Sequence, residues 1–127
     1  MFRGGEVNGQ GWRGDKVIVM LGRMTDIVTV SIACGSDAEA QALARFLVEQ
    51  RLAACVQSHP ISSTYVWQGE IETSAEIILT AKTLTARLPA IEAVVKEHHS
   101  YEVPEILAQP VLWVNAAYEA WLRDTIA

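Results

Sequence analysis

Two cysteines and three histidines are the side chains best suited to bind a transition metal: Cys34, Cys55, His59, His98 and His99. Thiolate and imidazole ligands together suit copper or zinc. The spacing matches neither a CxxC pair nor a zinc finger. His98 and His99 are neighbours, and consecutive side chains on a helix point about 100° apart. Both can therefore bind one ion only at a frayed helix end.

Acid–base or nucleophilic catalysis is not indicated by the sequence. It has no nucleophile–base spacing and no glycine-rich phosphate loop. Ser36 follows Gly35, but Ser36 and Glu39 have the spacing of a capping box, which predicts a helix start and not a nucleophile elbow. We therefore predict that the protein is not an enzyme.

The charge is uneven along the chain. The formal net charge is −5; residues 1–24 contribute +2, so the other 103 residues contribute −7. An acidic body repels phosphate backbones, which argues against nucleic acid as a partner. Acidity is compatible with cation binding, although most acidic surfaces are simply solvated.

Membrane insertion and secretion are also not indicated. No run approaches the ~20 apolar residues of a membrane-spanning helix. The apolar cluster at residues 17–21 is shorter than the core of a secretory signal, roughly 7–15 residues. We predict a cytoplasmic protein without a membrane partner.

The first 24 residues differ in composition from the rest. They hold six of the eight glycines and show no helix or strand periodicity. Such a segment buries too little apolar surface to offset the entropy of ordering it. We predict a flexible tail over residues 1–24 and one domain over residues 25–127, with Met24 as a natural alternative start.

Regular elements are predicted from residue 27 onward. Residues 27–34 have the β-branched composition of a strand, and the helix after Ser36 should end near Arg51. Residues 54–67 and 70–83 form a predicted hairpin around Gln68-Gly69, kinked or at a sheet edge at Pro60. Thr85 is a candidate N-cap of the next helix. A short extended piece over 105–109, a strand over 111–114 and a helix capped by Asn115 complete the chain.

The order of these elements, β-α-β-β-α-β plus a C-terminal helix, predicts an α+β fold with an antiparallel sheet, the ferredoxin-like split βαβ arrangement. There the third strand separates those bearing Cys34 and Cys55. Two strand spacings, about 9–10 Å, exceed the ~7 Å limit for a disulfide. Cys34, His98 and His99 should end at the same side of the subunit. Alternatively, His98 completes an apolar stripe and His99 helps to cap its helix.

Five sequence blocks carry a family resemblance, in order from about residue 27 to residue 126. They are LAACV at 52–56, STYVWQGE at 63–70, Lys82-Thr83, HSYEVPEI at 99–106, and Tyr118 with Trp121. The chain resembles the CutA divalent-cation tolerance family in these blocks. Ser100 stands where the family usually has proline, which suggests a less rigid turn, and Val114 stands where glycine is common.

The resemblance implies a homotrimer that binds copper or another divalent metal ion, without any need of metal for folding. It implies Cys34, His98 and His99 as the metal ligands. Assembly also follows from the hairpin, because strands of about 14 residues extend past the helices and leave edges for neighbouring subunits to pair. Candidate residues of a cleft between subunits are Trp67, Lys82, Tyr101 and Glu105. A plain salt bridge between Glu105 and Lys82 is the alternative for that pair.

A second function stays open at this point. The PII signalling proteins, regulatory trimers of similar architecture, bind a small anion or nucleotide in clefts between subunits. The acidic balance and the missing phosphate loop argue against that alternative.

Overall fold

The computed structural model describes residues 26–127 as an α+β fold of four strands and three helices. The strands are β1 (Ile27–Cys34), β2 (Cys55–Trp67), β3 (Glu70–Leu84) and β4 (Ile106–Pro110). The helices are α1 (Asp37–Glu49), α2 (Leu88–His98) and α3 (Ala116–Ile126), with a short 3-10 turn, Thr85–Arg87, before α2. The predicted tail over residues 1–24 lies outside the described residues.

The four strands form one antiparallel sheet in the order β2-β3-β1-β4. This order confirms the ferredoxin-like split βαβ topology, with β1 between β3 and β4. Cys34 pairs with Ile77 and Cys55 pairs with Lys82, so β3 separates the two cysteines. Both thiols are free, in agreement with the prediction that they form no disulfide.

The main core lies between the sheet and the helices α1 and α2. Side chains at alternate positions of β1 meet the apolar stripes of the two helices, and the largest fully buried members are Val30, Ile32, Leu47, Leu79, Ile91 and Val95. A second cluster joins α3 to Ile27 and Ala54. Because neighbouring strand residues face opposite sides, Ile27 points away from the main core, and α3 therefore packs on the other face of the sheet.

Helix α1 begins and ends with specific caps. Ser36 accepts a hydrogen bond from the Glu39 N–H at 3.1 Å, as predicted, but Glu39 accepts from Gly35 at 3.4 Å and not from Ser36. At the other end Arg51 has φ 57°, while Leu52 N–H donates to the Leu47 carbonyl at 2.9 Å. This is a Schellman cap with arginine in the position that glycine usually takes.

The hairpin of β2 and β3 is long, and its half near the turn is largely exposed to solvent. The two central residues of its turn, Gln68 and Gly69, have positive φ, the requirement of a two-residue turn that matches strand twist. β2 is continuous through Pro60 because it is an edge strand, where a missing N–H is tolerated. Near the tip the cross-strand pair Val66 and Ile71 is 68% and 78% exposed.

The last strand was placed wrongly by the sequence. β4 is Ile106–Pro110, paired with β1, whereas residues 111–114 are irregular. The apolar run at 111–114 was misleading because Leu112 and Trp113 are 68% and 78% exposed. Pro110 is the last residue of β4, and proline is tolerated there because β4 is an edge strand. Asn115 holds the N-cap position of α3, yet its side chain makes no capping bond.

The start of α2 also differs from the prediction. Thr85 opens the 3-10 turn instead of capping the helix, and its N–H donates to the Asp26 carbonyl at 2.8 Å. Proline in the first turn of α2 fits the preference for proline where backbone N–H groups have no partner. Within residues 26–127, no helix has the length and apolar character to cross a membrane.

Candidate functional site

A cleft of about 880 Å³ lies between the distal half of the hairpin and the loop that follows α2. Hairpin residues 63–67 form one side, loop residues 100–103 form the other, and Ala33, Glu76 and Glu105 complete the lining. Three of the four predicted cleft residues, Trp67, Tyr101 and Glu105, therefore line one cavity. Lys82 does not line it: its Nζ lies 5.8 Å from the centroid of the Tyr118 ring.

Tyr101 and Glu76 form the floor of this cleft. The Tyr101 hydroxyl donates to Oε2 of Glu76 at 2.7 Å. Burial raises the pKa of Tyr101, and the neighbouring Glu76 carboxylate raises it further, so the phenol remains a neutral donor. Gly35 makes room for the ring, because a Cβ there would lie only 3.0 Å from the Tyr101 oxygen.

Sequence reasoning missed Glu76. The alternation of apolar and polar residues along β3 groups Glu76 with Thr80 and Lys82, on the face opposite Ile77, Leu79 and Ala81. The structure shows it only 7% exposed, because the loop carrying Tyr101 folds over the sheet at that level. The available signal was the apolar pair Ile77 and Ile78 beside this carboxylate. Consecutive strand residues lie on opposite faces, so one of the pair shares the face of Glu76, and a fully exposed face does not require an apolar residue.

His99 is held by both ring nitrogens. Its side chain is fully buried, Nδ1 accepts the Tyr101 N–H at 3.0 Å, and Nε2 lies 2.7 Å from the Ala33 carbonyl oxygen. Since Nδ1 is the acceptor, Nε2 carries the hydrogen and donates it to Ala33. Both ring nitrogens therefore have a hydrogen-bond partner. This places His99 at the end of β1, as the topology predicted.

His98 faces a different direction. Its side chain is 47% exposed, and its ring packs 5.0 Å from the ring of Phe46 on α1. The alternative that His98 completes the buried stripe is therefore wrong. His99 is the buried histidine because the helix ends at His98, and the extended backbone of His99 turns its ring towards β1.

The structure does not bring the predicted copper ligands, Cys34, His98 and His99, together as one metal site. Cys34 is fully buried, and burial, with Glu39 and Glu76 nearby, raises its pKa to about 11, so the thiol keeps its proton at neutral pH. His99 has no free nitrogen and His98 points elsewhere. Across residues 26–127, no three His, Cys, Asp or Glu side chains are grouped to hold a metal ion.

Glu39 on helix α1 forms hydrogen bonds with the loop that follows α2. Its carboxylate accepts from the Ser100 N–H at 2.6 Å and from the Ser100 hydroxyl at 3.0 Å, and it lies 3.5 Å from Nδ1 of His99. Burial raises the pKa of Glu39, but the hydrogen bonds from Ser100 and Gly35 outweigh burial, so the net pKa is lowered. Proline at position 100 would lack the N–H, so Ser100 supplies two bonds that the usual family residue cannot make.

Because the ionised Glu39 carboxylate accepts the hydrogen bonds of Ser100, we predict that the stability of the protein depends on pH. Because the pKa of Glu39 is lower in the folded state, its contribution is present above the ordinary value of about 4.5 and is lost as the pH falls through the folded value. We expect Glu39→Gln to lower the stability by about 1 kcal/mol at pH 7 and by less in acid.

The measurement is thermal unfolding of both proteins between pH 7 and pH 3. Glu49→Gln is the matched control, because Glu49 lies on the same helix in an exposed pair with Arg45. An equal loss at every pH would contradict the role of the ionised carboxylate.

Comparisons with known proteins agree with this geometry. The family model described as CutA1 divalent ion tolerance protein matches residues 28–125. The divalent-cation tolerance protein CutA of Thermus thermophilus is 41% identical over 102 residues, which are 80% of this chain and 97% of that protein. Protein CutA of Homo sapiens is 41% identical over 94 residues, and the chain spans 52% of its length.

A solved structure supports the same relationship. The structure of the periplasmic divalent cation tolerance protein CutA from Archaeoglobus fulgidus has a TM-score of 0.78 and 33% identity, and the match covers 80% of this chain and 99% of that one. The family that the sequence resembles is thus confirmed by the family model, by relatives and by the fold. This chain belongs to the CutA1 divalent ion tolerance family.

Proposed function

We propose that the protein is a non-catalytic, cytoplasmic homotrimer that contributes to tolerance of divalent cations, with copper as the preferred ion. The observation that carries this proposal is the family match over residues 28–125, which includes nearly every described residue. The relatives from Thermus thermophilus and Pectobacterium atrosepticum are named as divalent-cation tolerance proteins and not as enzymes.

The hairpin supports assembly into trimers. Its distal half projects beyond the helices, and it exposes Tyr65, Val66, Trp67 and Ile71. β2 and β4 are both sheet edges with unpaired backbone groups. Pairing with neighbouring subunits covers such edges and apolar side chains together.

Copper is the preferred ion in this proposal because nitrogen and sulfur ligands bind it more tightly than other common divalent metals. The ligands that the resemblance implies, Cys34, His98 and His99, stay a prediction. Copper can bind to these ligands only if His99 gives up its hydrogen bond to Ala33 and Cys34 loses its proton. Protons compete with the metal for the ligands, so copper binding should weaken as the pH falls.

Calorimetric titration of the full chain with copper and with zinc tests this function. We expect copper to bind more tightly than zinc, and Cys34→Ser and His98→Ala each to weaken copper binding at least tenfold. His59→Ala is the matched control, because His59 is an exposed histidine on the hairpin. If all variants bind copper alike, the ligands lie elsewhere; if the wild type shows no binding, the proposal of a metal-binding protein fails.

The nucleotide-binding alternative is not favoured. Glu76, Glu102 and Glu105 line the cleft, and no lysine or arginine in the described part of the chain joins them there. Carboxylates repel phosphate groups, so an anionic ligand is opposed by the charge of this cavity. We expect no heat from ATP or ADP in the same titration.

A further inference from the structure

Two consecutive apolar side chains, Leu112 and Trp113, point into solvent from the loop between β4 and α3. They are 68% and 78% exposed, whereas their neighbours Val111 and Val114 pack against the cluster around α3. The loop is therefore anchored on both sides of the pair, and the pair cannot turn inward without removing a valine from that cluster. Single exposed apolar residues are common, but a contiguous apolar surface indicates a contact.

The pair lies at the end of the sheet opposite the hairpin turn. Val111 N–H donates to the Ile27 carbonyl at 3.0 Å, and Ile27 pairs with Leu84, the last residue of β3. The turn precedes Glu70, the first residue of β3, and 15 residues at about 3.3 Å each separate the two ends by roughly 45 Å. The exposed half of the hairpin, which the proposed trimer covers, is therefore a different surface.

The described structure begins at this same end of the sheet. The carbonyl of its first residue, Asp26, accepts the Thr85 N–H at 2.8 Å, and the Asp26 carboxylate accepts from Arg123 on α3 at 2.7 Å. β1 and β4 are antiparallel, with Val28 opposite Pro110, so the step from Ile27 back to Asp26 leads towards the loop that carries the exposed pair. The preceding chain therefore starts beside Leu112 and Trp113.

That preceding chain contains one apolar cluster, Val-Ile-Val-Met-Leu at residues 17–21. The chain from Leu21 to Ile27 can span about 20 Å, and Trp113 lies two residues, at most about 7 Å of chain, beyond the bonded Val111. The cluster can therefore reach the pair without stretching. The net charges also attract, because residues 1–24 carry +2 and the other 103 residues carry −7.

We propose that Leu112 and Trp113 are the docking site of residues 17–21 of the same chain, which cover both side chains against solvent. The predicted flexible tail is then limited to residues 1–16. This intramolecular contact goes beyond the proposed function and does not depend on copper.

Limited digestion of the full chain with trypsin tests the contact, because Lys16 and Arg23 flank the apolar cluster and Arg3 lies far from it. Mass spectrometry gives the initial rate of cleavage after each basic residue, and rates at one site are compared between proteins. We expect the double variant Leu112→Ser with Trp113→Ser to be cleaved at least tenfold faster after Lys16 and Arg23, with cleavage after Arg3 unchanged.

The matched control is Val48→Ser, which changes an exposed apolar residue of α1 and should alter none of these rates. A reciprocal variant, Val19→Asp, changes the cluster and leaves the loop intact. We expect it to shift the NMR signal of the Trp113 indole N–H, assigned by its loss in Trp113→Phe. Val7→Asp, a tail residue outside the cluster, should leave that signal in place.

The inference is overturned if cleavage after Lys16 and Arg23 is equally fast in the wild type and in the double variant. It is also overturned if Val19→Asp leaves the Trp113 signal unmoved. A double variant with a changed oligomeric state in light scattering, together with an unmoved signal in Val19→Asp, would show that a neighbouring copy covers the pair instead of residues 17–21.

Discussion

We expect the wild-type protein to remain a trimer at micromolar concentration and the double variant Val66→Asp with Ile71→Asp to dissociate to monomers. The two residues are directly paired across the hairpin, and both are largely exposed in the single subunit. If neighbouring subunits cover them, each substitution places an unpaired carboxylate in an apolar contact in all three subunits. A penalty of roughly 4 kcal/mol weakens association about a thousandfold.

Light scattering and sedimentation across a dilution series measure this effect. The matched control is Val48→Asp, which places the same charge on an exposed apolar residue of α1. Because strand edges and not helices should form the contacts, the control should stay trimeric. A wild-type monomer or dimer, or dissociation of the control alone, would contradict the hairpin-based assembly.

The hairpin and the first helix were predictable because local chemistry determines both. Gln68-Gly69 supplies the two positive φ angles of a tight turn, whatever the rest of the fold does. Ser36 caps α1 through its own third neighbour, Glu39, so the contact is present in the sequence itself. With the element order, these signals are sufficient to predict the ferredoxin-like topology.

The buried polar cluster was not predictable because it depends on contacts between distant segments. Glu76 is 25 residues from Tyr101, and Glu39 is 61 residues from Ser100. Strand alternation assigns Glu76 to the outer face correctly, but it contains no information on the loop that later covers that face. The prediction of a strand over 111–114 was wrong for a related reason: Val111 and Val114 are apolar because they pack against the α3 cluster, a contact with a distant segment, while Leu112 and Trp113 are exposed.

The two histidines show the same limit at a helix end. Periodicity placed His98 in line with Ile91 and Val95, which are both buried. At the last turn of α2, however, the His98 ring lies half-exposed against the ring of Phe46 on α1. His99 lies outside the helix, where the 3.6-residue period no longer determines the direction of a side chain.

The last prediction separates these neighbouring histidines by stability. We expect His99→Ala to lower the free energy of unfolding by about 3 kcal/mol, because it leaves the Ala33 carbonyl and the Tyr101 N–H without their partner and opens a cavity. His98→Ala, the matched control one residue away, removes a half-exposed ring and should lower it by less than about 1 kcal/mol.

Denaturant unfolding at one fixed protein concentration measures both losses, because the stability of an oligomer depends on concentration. His99→Gln tests the direction of the hydrogen bond: its amide N–H₂ can still donate to Ala33, so it should recover part of the loss, whereas His99→Leu fills the space without any donor and should not. Equal losses for His98→Ala and His99→Ala would contradict the buried, doubly bonded ring. If His99→Leu restored the lost stability, the His99 ring would act by its volume alone. Tyr101 would then form its hydrogen bond to Glu76 without help from the bond between its backbone N–H and His99.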